Sequence, residues 1–182
     1  MVSLSFFFLF MMILFGIIGA MRGWAKELLV SFSVILAMFI LSILERFVPP
    51  IRDSIAVEHS SSQFWLRFIV FTVLCFFGYQ TPNLPKFAGS RFAREKLQDT
   101  LLGFVLGAFN GYLIIGSLWY FLAEADYKPL IPWISAPIKG EPMGDAALRL
   151  LTYMAPHWMG TGSTILFFAV AAAFLFIVVV FL

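Results

Sequence analysis

The chain has 182 residues, a formal net charge of +2, 62% hydrophobic and 12% charged residues, and a mean hydropathy of +0.96. Soluble domains carry about a quarter charged residues, so this composition excludes a sizeable water-soluble domain, removes most enzyme folds and indicates an integral membrane protein. The small charge, without a basic stripe interleaved with aromatics, excludes nucleic-acid binding, and the single cysteine, Cys75, can close no internal disulfide.

The chain opens with Val2 to Met21, an uncharged run rich in Phe, Leu, Ile and Met. No Lys or Arg precedes Arg22, unlike the basic start of a signal peptide, so the run reads as a retained first span. Its far end carries two small-x-x-x-small pairs, Gly16 with Ala20 and Gly19 with Gly23, the pattern that lets helix backbones approach. Arg22, Lys26 and Glu27 follow together, with Trp24 at interfacial depth.

Leu28 to Leu44 is the second span, reached by a very short connection. A loop from Glu45 to Gln63 follows, with Pro49 and Pro50 ending the helix and a polar cluster at His59 to Ser62. The third span runs from about Phe64 to Tyr79. Arg67, one turn inside it, reads as a side chain that snorkels to the headgroups, with an intramembrane functional charge as the alternative.

Between Thr81 and Asp99 lie Lys86, Arg91, Arg94 and Lys96 against Glu95 and Asp99, and the spacing of Phe87, Phe92 and Leu97 predicts a short surface helix. Thr100 to Ala123 is the fourth span, 24 residues without a charge, roughly 36 Å as a helix. Gly103, Gly107 and Gly111 recur every fourth residue and form one stripe suited to a close neighbour. Prolines 129, 132, 137 and 142 then force an extended path until Asp145 caps a short helix, Ala146 to Met154. Trp158 to Leu182 is the fifth span.

The chain is thus all-α, a polytopic integral membrane bundle of about five transmembrane helices. Basic residues are densest in the first and third connections, which places those inside, the N-terminus out and the C-terminus in, with Trp65, Trp119, Trp133 and Trp158 at the outer boundary. Gly16, Gly19 and Gly23 then share a depth with Gly103 and Gly107, so the first and fourth spans are expected to meet. Asn110 is expected to hydrogen-bond across that contact, with a solute path as the alternative. Arg22, Glu27 and Asp99 gather at the mouth of the contact, where Arg22 can pair with Asp99; ordinary flanking charge is the competing reading.

GAMRGWAKELL at Gly19 to Leu29, followed later by LQDTLLGFVLGAFNGYLI at Leu97 to Ile114, resembles the colicin V production protein (CvpA) family. The residues that carry the resemblance are Arg22, Gly23 and Glu27, then Asp99, Leu102, Gly103, Gly107 and Gly111. It implies a four-helix membrane domain over residues 1–125, a bacterial cytoplasmic (inner) membrane location and an association with toxin production or export. Some relatives carry an extracytoplasmic protease after the fourth helix. Here that place holds a proline-rich extracytoplasmic loop over 126–157 with a short interfacial helix, then a C-terminal transmembrane helix over 158–182.

Catalysis has little support: His59 beside Ser60 to Ser62 lacks an orienting third group, and two histidines and one cysteine are too scattered for zinc. His157, at the head of the last span, is a candidate ligand for a haem or chlorophyll-type pigment; no other cofactor is expected. Three functions follow: a non-enzymatic accessory subunit packed in the bilayer against other integral membrane subunits, a component of toxin or solute export, or a pigment- or haem-binding subunit. The 23 phenylalanines and the small-residue row at Ala169 and Ala171 to Ala173 favour the first.

Overall fold

In a computed structural model of the chain, described over residues 4–54, 59–80, 93–131, 133–160 and 163–181, the described residues form helices and turns and no strand. Backbone polar groups have no water to bond in hydrocarbon, so uncharged runs must close their hydrogen bonds within a helix. The helices are α1 (Leu4–Arg22), α2 (Trp24–Phe47), α3 (Pro49–Ser54), α4 (Ser61–Tyr79), α5 (Ala93–Glu124), α6 (Pro142–Leu151), α7 (Ala155–Met159) and α8 (Thr164–Phe181), with a 3-10 turn at Lys128–Leu130. Four of them, α1, α2, α4 and α5, are long and apolar enough to cross a membrane, and a fifth span forms if α6 to α8, bent by 67°, count as one. The protein is an all-α polytopic membrane bundle.

Local chemistry sets the boundaries. Ser60, extended at the N-cap of α4, accepts a hydrogen bond from the Gln63 amide at 3.0 Å, which fills one of the orphan donors of a helix start. The cluster at His59 to Ser62 is therefore in part a helix cap. α2 runs on to Phe47, further than the sequence reading, and stops at Val48, since a residue before proline is pushed out of the helical region. Pro49 and Pro50 then start α3, where a missing N–H costs nothing.

Three expectations need correction. The segment before the fourth span is not a separate surface helix from Ala93 onward: α5 begins there and continues unbroken to Glu124. Lys86, Phe87, Arg91 and Phe92 lie outside the described residues, as does Val2 at the head of the first span. Asp145 does not cap α6, which starts three residues earlier at Pro142 with Glu141 at the N-cap; the Asp145 carboxylate accepts from the Gly140 amide at 3.0 Å inside the first turn. The last span is broken, because Trp158 belongs to α7 and the chain leaves the helix at Gly160 before α8 begins at Thr164.

α2 stands at the centre, touching α1, α4, α5 and α8. Its Val30, Val34, Ala37, Met38 and Leu41 are buried together with Phe71 and Cys75 of α4 and Leu113 and Phe121 of α5. α1 packs chiefly on α5, and turns Phe6, Phe10, Ile13 and Ile17 outward, as a lipid-facing stripe would.

Candidate functional site

The contact between α1 and α5 is made of backbone. A methyl placed on Gly19 would lie 2.7 Å from the Gly107 Cα, one on Gly107 would lie 2.8 Å from the Gly19 Cα, and one on Gly103 would lie 3.2 Å from the Gly23 Cα. Gly111 faces Met12 and Phe15, and Gly16 takes the ring of Phe104. At these separations no side chain fits between the helices, which is the use of small residues in lipid. Gly116, which the stripe does not include, seats the Met154 sulfur in the same way.

Where this contact reaches its end, four helices bring a polar cluster together. α1 and α2 are joined through Gly23 alone, at φ +87, a conformation open to glycine and strained for other residues. The N-terminus of α2 has no cap of its own. Asp99, projecting from α5, supplies one: its carboxylate accepts the Trp24 amide at 3.2 Å, placing a negative charge at the positive end of the helix. Arg22 therefore takes a different acid from the expected one. Its Nη1 donates to Glu27 Oε1 at 2.5 Å, its Nη2 donates to the Tyr79 carbonyl at 3.2 Å, and its guanidinium lies 4.5 Å from the centroid of the Tyr79 ring.

Glu27 is fully buried, so its charge must be matched. Arg22 provides one partner, and Asn110 the other. Asn110 Nδ2 donates to Glu27 Oε2 at 2.9 Å and to the Glu27 carbonyl at 2.8 Å, and its Oδ1 accepts from Ser31 Oγ at 2.6 Å. Asn110 thus joins α5 to α2 and not, as expected, to α1. One residue along a helix is a turn of about 100°, which carries Asn110 off the glycine face and onto the flank that meets α2.

A second cluster sits at the opposite end of α2, and the sequence reading missed it. Arg67 does not snorkel outward. Its Nε and Nη2 donate to the two oxygens of Glu45 at 2.6 and 3.0 Å, its Nη1 donates to Glu124, and its guanidinium lies 5.4 Å from the Phe121 ring centroid. The Arg67 and Glu45 side chains are only 11% and 9% exposed, and that of Glu124 39%. A cavity of about 60 Å³, bounded by Glu45, Arg67, Tyr120, Glu124 and Met159, adjoins the cluster, enough for roughly two waters. Two carboxylates against one guanidinium leave a net negative charge beside it.

Around this end, His59 Nδ1 meets the Glu124 carbonyl at 2.8 Å, and Lys128 Nζ bridges Asp126 at 3.1 Å and the His59 carbonyl at 3.3 Å. Trp119 is buried here instead of facing an interface, donating to the Tyr127 hydroxyl at 3.0 Å. Burial pushes the Tyr127 phenol above its ordinary range, opposed by that hydrogen bond. His157 is exposed on α7, its ring 6.2 Å from that of Tyr120, and does not open α8. Among the described residues no three His, Cys, Asp or Glu side chains converge as a metal site requires.

Residues 4–136 match the family model described as colicin V production protein. No curated protein and no solved structure matches the chain. The matched stretch contains α1 to α5, the glycine contact and both polar clusters, with α6 to α8 beyond it. This multi-pass membrane protein belongs to the colicin V production protein family.

Proposed function

We propose that the chain is a non-enzymatic accessory component of toxin production or export in the bacterial inner membrane, built to be packed in the bilayer against other integral membrane subunits. The observation that carries this reading is how the buried polar groups are used. Glu27, Asn110 and Arg22 bond one another across α1, α2 and α5, Arg67 ties α4 to α2 and α5, and Val30, Val34, Phe71 and Leu113, all essentially inaccessible, fill the bundle. Charges bound to helix partners and separated by a packed apolar core suit a rigid scaffold better than a permeation path or a catalyst. The family's tie to colicin V production supplies the process, and the density of basic residues at the Arg22 end favours placing that end in the cytoplasm.

A second reading, passage of a proton or small cation, is favoured by the negatively charged cavity at Arg67, Glu45 and Glu124. Gentle detergent extraction of the tagged chain, followed by native mass measurement and an absorption spectrum, separates the readings. The accessory role requires co-migration with a larger membrane assembly at fixed stoichiometry. A free monomer or a small homo-oligomer would overturn it and make cation uptake into vesicles, with Glu124→Gln as the control, the next measurement. A pigment band lost in His157→Ala would overturn it in favour of a chromophore-holding subunit.

A further inference from the structure

Near the Arg22 end, α2, α4 and α8 do not close on one another. α8 leans against α2 where Phe167 meets Phe39 edge-on, ring centroids 5.6 Å apart. Below that contact the three helices leave a groove of about 360 Å³, walled by Leu29, Leu36, Phe77, Ala173 and Phe174. The one hydroxyl in these walls, Ser33, donates to the Leu29 carbonyl at 3.0 Å. The groove therefore offers an entering molecule mostly apolar surface, which disfavours a hydrophilic solute. Its volume lies in the range of small-ligand sites, about 300–1,000 Å³.

A cation stands above it. Lys26 precedes Leu29 by three residues, Ser33 by seven and Leu36 by ten, so it continues the same stripe of α2 one turn beyond the apolar wall. The Lys26 ammonium makes no ion pair with a described residue. From Lys26 to Leu36 is about 15 Å of helix, the depth of one leaflet of a hydrocarbon core about 30 Å thick. A largely apolar slot one leaflet deep, headed by an ammonium with no ion pair among the described residues, matches a phospholipid with a negative headgroup. A partner helix would fill the slot equally well but would leave Lys26 unanswered.

We infer that this groove holds one anionic phospholipid, its acyl chain between α2, α4 and α8 and its phosphate against Lys26. Native mass spectrometry of the full chain tests this, with phosphatidylglycerol and phosphatidylcholine of identical acyl chains offered in neutral detergent. One phosphatidylglycerol per chain should survive activation that strips phosphatidylcholine. Lys26→Ala should lower its retention about fivefold, and Lys26→Arg should preserve it. Ala173→Phe and Leu36→Trp, which fill the slot from opposite walls, should reduce retention of both lipids. Equal retention of the two lipids by the wild type would overturn the inference. So would undiminished phosphatidylglycerol binding in Lys26→Ala, or in slot-filling variants with the wild-type helical content. A lipid-free dimer that Ala173→Phe dissociates would assign the groove to a second copy instead.

Discussion

Glu27 and Glu45 lie eighteen residues apart on α2, five helical turns, and so point from the same face at opposite ends of one helix. Each meets an arginine, yet the two ends are built differently. At Glu27 the carboxylate is sealed: it is fully buried, shares its bonds between Arg22 and Asn110, and adjoins helices that touch through glycine backbone. At Glu45 the arginine is shared with a third helix through the more exposed Glu124, and a cavity adjoins the group. The same ion pair is thus a closed knot where packing leaves no space and an open one where it does. Removing a partner from the closed end should therefore cost more.

The largest expected effect is Arg22→Ala, which strands a buried carboxylate and should destabilise the fold by about 3–5 kcal/mol. Adding Glu27→Gln should recover much of that loss in a detergent unfolding titration. An Arg22→Ala cost that is unchanged in the Glu27→Gln background would show that the closed end does not rest on this pair. Next is Gly19→Ala, whose methyl has only the α5 backbone to displace, with an expected loss of about 1–3 kcal/mol. Wild-type stability for this variant would mean the two helices can separate freely. Asp99→Ala, which removes the cap of α2, should cost about 1 kcal/mol. It should add simply to Arg22→Ala in a double-mutant cycle, whereas strong coupling would restore the pairing that the sequence suggested. The smallest effect belongs to the open end. Glu124→Gln should change stability by about 0–1 kcal/mol, because its side chain is 39% exposed and the amide can still accept from Arg67, and a loss as large as that of Arg22→Ala would erase the contrast between the ends.

Much of the bundle was legible in the sequence because helical periodicity and apolar length are local signals. Gly103, Gly107 and Gly111 mark a face by spacing alone, and depth brings Gly103 and Gly107 level with Gly16, Gly19 and Gly23. Depth does not fix azimuth, which is why Asn110 was assigned to α1 when it bonds Glu27 and Ser31 on α2. Nor does it rank acids at one mouth. Asp99 and Glu27 both stood near Arg22, and the turn at Gly23 decided between them. Arg67 was misread for a related reason. Its partners are 22 and 57 residues away in sequence, so nothing beside it signalled that it would be bound. The break before α8 did have a signal, the Gly160-Thr161-Gly162-Ser163 run, hidden by the apolar sequence that follows.

Gly23 has a mechanical consequence. A connection of one residue leaves no slack, so the last turn of α1 and the first turn of α2 are set by the same glycine, and Glu27 follows four residues later. Where α1 lies on α5 therefore sets where α2, which carries the most deeply sealed charge among the described residues, begins.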